Sequence, residues 1–189
     1  MQYALWIGLL FVLTGVCIVI ILSACTLFRS LSGIVTKKHI SFIPVPDGAL
    51  PLLKRITPPS AGAIIYDLGC GDGKIVLYLA TLFPEATYIG IEYDLLPYLI
   101  AKVKTRKHSN ITIRFKNIFK EDLTKADILI AYLFPELLDK LLPKLEKELK
   151  KGVYVYSFDY AFRKKEAQTI EYNEDASLKR GKRMLVYEF

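Results

Sequence analysis

Cysteine and histidine are scarce in this chain of 189 residues, and charge is missing from its first 28. Cys17, Cys25 and Cys70 form no C-x-x-C pair, so no disulfide framework is expected. Only two histidines, His39 and His108, argue against a zinc or haem centre, and no metal is expected. No run of five basic residues occurs, and nucleic acid is not an expected partner. Internal repeats and low-complexity tracts are absent as well. A hydrophobic share of 52% excludes a disordered chain, and a charged share of 24% excludes a polytopic membrane protein. The length suits one globular domain. The net charge of +7 falls entirely on residues 29–189.

What the amino terminus has instead is one long apolar run, Ala4 to Phe28. At ~1.5 Å per residue it is long enough to cross a hydrocarbon core of ~30 Å. A chain in lipid has to satisfy its own backbone groups, so residues 4–28 are expected to form a transmembrane helix. A cleaved signal peptide is disfavoured, because Met1-Gln2-Tyr3 carries no Lys or Arg and the run is too long. Leu22-Ser23-Ala24-Cys25 resembles a bacterial lipoprotein cleavage box, a four-residue match that arises often in apolar helices. A buried core helix is disfavoured because the remaining chain already makes a complete domain. Arg29, Lys37 and Lys38 follow the run and no charge precedes it. The positive-inside rule therefore puts residues 29–189 in the cytoplasm or an equivalent interior compartment. Residues 29–45 read as a membrane-proximal connector.

From residue 46 to 189 the apolar pattern alternates between strand and helix. Asp47 is placed to cap a short helix that Pro58-Pro59 would stop. Strands are expected at 63–68, 87–93, 111–115, 126–134 and 153–158, and helices at 74–83, 95–107 and 135–151. In the last helix, leucines at 137, 138, 141, 142, 145 and 149 mark one face and lysines the other. Residues 168–172 and 184–189 are expected to pair antiparallel at the sheet edge. This alternation makes a doubly wound, seven-stranded, Rossmann-like α/β sheet. Ligands in such sheets bind beyond the carboxyl ends of the strands, where strand order reverses.

The most informative stretch is Asp67-Leu68-Gly69-Cys70-Gly71-Asp72-Gly73-Lys74, between the first strand and the helix after it. Three alternate glycines allow positive φ and let a ligand approach the backbone, and the helix start offers free N–H groups. The dinucleotide fingerprint GxGxxG does not fit, because Gly73 comes one place early. A carboxylate at Asp67 would crowd a pyrophosphate and suits a cationic amine instead. The turn resembles motif I, DxGxGxG, of the class I S-adenosylmethionine-dependent methyltransferases. That resemblance implies that Asp67, Gly69, Gly71 and Gly73 surround the amino-acid end of the cofactor. Cys70 falls at a variable position and reads as a small filler. Glu92, 25 residues after Asp67, aligns with the family's ribose-binding acid. Asp94 reads as a helix cap. Asn117 stands where the family commonly has an Asp that bonds the adenine amino group, and Ile118 is a candidate to pack on adenine.

No NPPY-like or DPPY-like turn follows the fourth strand, which separates the chain from enzymes that methylate DNA adenine or glutamine amides. No cysteine is available there for pyrimidine C5-methylation. Residues 40–160 look like a narrower group, the small family of protein-lysine methyltransferases. That group includes the mitochondrial enzymes acting on the ATP synthase c-subunit and the adenine nucleotide translocase, with archaeal broad-specificity relatives. The resemblance rests on Phe42-Ile43-Pro44-Val45-Pro46, YDLGCGDGK, GIEYD, the YLFPELLDKLLPKLEKELKKG segment and VYSFDY. Val45 replaces the family's Thr and loses a hydroxyl. The family's eukaryotic members also carry an amino-terminal membrane-inserted segment. The expected acceptor is therefore a lysine of a membrane or membrane-associated protein. Tyr132 is the expected wall and hydrogen-bond partner of its amine, with Tyr156, Phe158 and Tyr160 behind it. A small-molecule or lipid acceptor such as a quinone, and a non-catalytic cofactor-binding scaffold, are the alternatives.

Overall fold

The computed structural model describes residues 2–35, 43–175 and 177–189. Two compact units divide the chain, Met1–Ser41 and Phe42–Phe189. The first holds one helix, α1 (Gln2–Val35). Its stretch Trp6–Thr26 is long and apolar enough to cross a membrane, by length and composition. The described side chains of that stretch are exposed. Its polar side chains turn back on their own helix. Thr14 Oγ1 donates to the Leu10 carbonyl at 3.0 Å and Thr26 Oγ1 to the Ser23 carbonyl at 2.9 Å. A hydroxyl satisfied this way asks nothing of the surrounding solvent. Of the connector expected over 29–45, the start is helical and residues 36–42 lie outside the described residues.

The second unit is built on seven strands: β1 (Ile64–Leu68), β2 (Thr87–Glu92), β3 (Ile111–Phe115), β4 (Ile128–Ala131), β5 (Tyr154–Phe158), β6 (Thr169–Tyr172) and β7 (Arg183–Glu188). Their order is β3-β2-β1-β4-β5-β7-β6. The first five run parallel, while β7 inserts antiparallel between β5 and β6. The central strands are rich in Ile, Val and Tyr, which pack well on a pleated surface. One face is covered by α2 (Lys74–Leu82), α3 (Leu95–Thr105) and a 3-10 helix at Asp47–Arg55. The other is covered by α4 (Pro135–Glu148), which buries Leu138, Leu141, Leu142 and Leu145. Each such leucine contributes about 1.5–3 kcal/mol by leaving water. The amphipathic leucine pattern of the sequence is therefore resolved into a core face.

Two expectations need correction. Asp47 does not cap the short helix. Pro46 takes the N-cap place, and Asp47 Oδ1 instead meets Lys74 Nζ at 2.8 Å, with Lys74 Nζ also donating to the Val45 carbonyl at 3.0 Å. The fourth strand stops at Ala131, short of Phe134, because Tyr132–Phe134 leave the sheet to start α4 at Pro135. That departure frees Tyr132 from the ladder and brings it to the sheet's carboxyl end.

Candidate active site

Strand order reverses at β1, which pairs with β2 on one side and β4 on the other. The glycine turn lies directly at this switch. Gly69, Gly71 and Gly73 all have positive φ, at 78°, 54° and 79°. A side chain at any of the three would be strained in that backbone. Gly69 and Cys70 donate their N–H groups to the Ile91 carbonyl at 2.9 and 3.0 Å, binding the turn to the end of β2. Close packing makes this possible. A Cβ at Gly90 would come within 2.8 Å of Cys70 Sγ, so the Gly90 and Cys70 pair is a fit of small residues. Burial pushes the Cys70 thiol far up, as expected of a filler rather than a nucleophile.

Asp67 is only 1% exposed, and its Oδ2 has no hydrogen-bond partner among the described residues. Burial, then the Glu92 and Asp72 carboxylates, push it up to about 8. Glu92, one strand away, is in a different condition. Its Oε2 accepts from Gly71 N at 2.8 Å and its Oε1 from Tyr93 N and Asp94 N, each at 2.7 Å. Two neighbouring carboxylates thus differ in one respect: Glu92 is held by three backbone donors, and Asp67 Oδ2 by none. Asp94 occupies the N-cap place of α3.

The structure spends Asn117 locally. Its Oδ1 accepts from Phe119 N at 2.9 Å and caps the 3-10 turn Ile118–Lys120. Ile118 is buried in the same cluster as Leu68, Ile91 and Leu133.

On the other side of β1, Asp67 pairs in register with Ile130, and Tyr132 follows two residues later on the same face. Its ring meets Phe158 edge-on at 6.5 Å and stacks on Tyr160 at 5.9 Å, and Tyr160 in turn lies 5.4 Å from Phe134. Tyr156 pairs in register with Ile130 on the same face. Its hydroxyl is tied to Thr57, accepting from the backbone N at 2.8 Å and donating to Oγ1 at 3.0 Å. No hydrogen bond of standard geometry satisfies Tyr132 Oη among the described residues. Burial, then the nearby Asp159 carboxylate, push this phenol up to about 12.

Asp159 carries no signal of its own in the sequence, although it lies within VYSFDY. It has φ 59°, in the left-handed region where a non-glycine residue is strained. Its Oδ2 accepts from Gly181 N at 2.5 Å and its Oδ1 from Lys182 N at 2.8 Å. These bonds fasten the segment before β7 to the end of β5, behind Tyr132. Nothing in the local sequence announces a positive φ at an aspartate, so only the fold could show it.

Residues 67–169 match the family described as ANTKMT methyltransferase domain. A protein-lysine N-methyltransferase of Saccharolobus islandicus is 31% identical over 128 residues, covering 66% of this chain and 80% of that one. The ATP synthase c-subunit lysine N-methyltransferase of Rattus norvegicus is 23% identical over 131 residues, covering 67% of this chain and 58% of that one. Among solved structures, an RNA methyltransferase from Salinibacter ruber in complex with S-adenosyl-L-homocysteine shares the fold. Its TM-score is 0.66 at 24% identity, covering 77% of this chain and 93% of that one. The glycine turn at the strand switch and these matches agree: the chain belongs to the ANTKMT methyltransferase-domain family, within the class I S-adenosylmethionine-dependent methyltransferases.

Proposed function

We propose that this protein is a membrane-anchored methyltransferase whose acceptor is a lysine side chain of a membrane or membrane-associated protein. The observation that carries this reading is one juxtaposition. A buried carboxylate oxygen lacking a donor, Asp67 Oδ2, and an aromatic cluster around Tyr132 stand at the ends of neighbouring strands on the same face. The first suits the cationic amine of S-adenosylmethionine, and the second suits a lysine amine. The lysine acceptor is supported by the names of the relatives, and the anchor by the apolar stretch Trp6–Thr26.

The residues present fit the cofactor. Asp67 Oδ2 needs a buried donor, and the positive-φ turn of Gly69, Gly71 and Gly73 leaves its backbone open to a ligand. Glu92 Oε2 has accepted one donor and retains capacity for a ribose hydroxyl. Adenine falls to Ile118 and to Asn117, whose Oδ1 has accepted one donor and retains a second lone pair. The bound cofactor supplies an electrophilic methyl group on a sulfonium. Everything else falls to the chain, which has to align the acceptor and exclude water. Aromatic faces at Tyr132 and Tyr160 hold the incoming ammonium. The same apolar surroundings then penalise its charge and favour loss of the proton, which leaves the amine nucleophilic. The Tyr132 phenol stays neutral at physiological pH and can accept a hydrogen bond from that amine, fixing its direction.

Mass spectrometry of membrane proteins, with and without this enzyme, tests the acceptor. Steps of about 14 Da, one CH₂ each, are expected on lysine. Radiolabel from the cofactor appearing only in the lipid extract would establish the alternative, a lipid or quinone acceptor. Tyr132 gives a graded check. Tyr132→Phe should lower kcat about tenfold through one lost hydrogen bond. Tyr132→Ala, which opens the wall, should lower it about 100-fold or more. Both should bind S-adenosylhomocysteine like the parent. Equal activity in all three would remove Tyr132 from the site.

A further inference from the structure

Helix α3 is oriented unlike α2 and α4. It buries only Ala101 and Thr105 against the sheet, and turns its apolar residues outward. Leu95, Leu99 and Val103 form one i, i+4, i+8 row, 58%, 49% and 60% exposed, with Leu96 beside them at 69%. A helix of a soluble domain ordinarily presents the opposite arrangement, apolar side inward and polar side outward. An exposed apolar row of this length marks a surface that something covers.

Charge identifies what covers it. Residues 95–120 contain seven Lys or Arg and no Asp or Glu. Three of the seven are paired: Lys104 with Asp72 at 2.5 Å, and Arg114 and Lys116 with Glu121. Lys102, Arg106, Lys107 and Lys120 make no ion pair among the described residues, and all four are exposed. On a helical wheel Lys102 flanks the apolar row on one side and the Asp72-paired Lys104 lies on the other, while Arg106 and Lys107 extend beyond its carboxyl end. Apolar side chains in the middle with cations at the flanks is the layout of a helix lying in a membrane interface, its apolar side in the acyl boundary and its cations among headgroups. A second copy of the same surface would bring two sets of cations together and is disfavoured by repulsion. A protein partner would need an apolar strip edged with acid, to which no feature of the fold points.

We propose that α3 is a second membrane contact, which docks the catalytic unit flat on an anionic lipid surface. It acts independently of α1. A single spanning helix limits how far the domain can wander but not which way it faces. A docked α3 would restrict the rotation of the glycine turn and the aromatic cluster relative to the bilayer. This surface is distinct from Asp67 and Tyr132, so its failure would leave the methyltransferase reading intact.

Tryptophan makes the test clean, because Trp6 is the only one in the chain. Full-length protein would be reconstituted at one chain per nanodisc, with brominated acyl chains as quenchers, in zwitterionic discs and in discs holding one-third phosphatidylserine. In the parent, quenching of Trp6 reports insertion of α1. In a Trp6→Phe, Leu99→Trp chain, quenching reports α3 alone. The expected result is at least twofold quenching of the Leu99→Trp chain in anionic discs, weaker in zwitterionic discs and reduced by high salt. Lys102→Glu and Arg106→Glu together should abolish it, with S-adenosylhomocysteine binding unchanged as proof of folding. Trp6 quenched and Leu99→Trp unquenched in anionic discs would overturn the proposal while leaving the anchor standing. Leu99→Trp emission that shifts only when two chains share a disc would overturn it in favour of self-association.

Discussion

Asp67→Asn should weaken S-adenosylhomocysteine binding by roughly 100-fold or more, and at the same time stabilise the ligand-free chain at pH 8. The two effects have one origin. Asp67 Oδ2 is buried without a donor among the described residues, so a ligand amine would complete a charge pair that water cannot reach. Removing one partner of such a pair costs about 2–5 kcal/mol. Without ligand, the same burial is a liability. The carboxyl ionises near 3.8 in the unfolded chain and is pushed up to about 8 in the folded one. The folded state therefore holds a proton that the unfolded state has released, and stability falls as pH rises from about 4 to about 8, then levels off. Asparagine carries no such penalty. The stability difference between variant and parent should be near zero around pH 4 and reach a few kcal/mol at pH 8 in urea melts. Binding of the amine should also expel the Asp67 proton, so affinity rises by up to about tenfold per pH unit between 6 and 8. Calorimetry in two buffers of different ionisation enthalpy measures that proton. A parent that binds without releasing one, and a variant that binds equally well, would remove Asp67 from the site.

The second large effect is expected at Glu92, for a different reason. Its carboxylate accepts from Gly71 N, Tyr93 N and Asp94 N, so it joins the glycine turn to the loop that opens α3. Glu92→Gln keeps one oxygen but turns an NH₂ group toward one of these N–H donors. A buried donor facing a donor, with the charge-assisted bonds lost, costs about 2–3 kcal/mol. For a chain of this size that corresponds to a fall in melting temperature of roughly 5–10 °C. Cofactor binding should fall as well, since the variant disturbs Gly71 and removes the assigned ribose acceptor together. The contrast with Asp67→Asn is the useful part. One carboxylate-to-amide change at this site is expected to stabilise the empty protein, and its neighbour's to destabilise it. A thermal shift of the same sign in both would contradict the donor assignment drawn here.

Much of this protein was legible before folding, and particular residues show why. The seven-stranded alternation was readable because each strand is a short apolar run and each helix an apolar stripe, patterns set by which atoms must avoid water. The glycine turn was readable because positive φ beside a strand end leaves few choices of residue, and all three glycines do take positive φ. The apolar run at the amino terminus was readable from length alone. Long-range geometry was not. Asp47 looked like a cap and became the partner of Lys74, because a cap is chosen by local backbone and an ion pair by what folding brings near. Nothing in the sequence showed that the Tyr156 hydroxyl would be tied to Thr57, 99 residues away in the chain. Asp159 gave no sign of its left-handed backbone, nor that its carboxylate would accept from Gly181 N and Lys182 N, far along the chain. Periodicity placed a helix at 95–107, but only packing against the sheet decided that its apolar row faces outward. Sequence determines which faces are apolar and which turns are possible; the tertiary structure decides which of those faces meet, because contacts between residues far apart in the chain have no local signature.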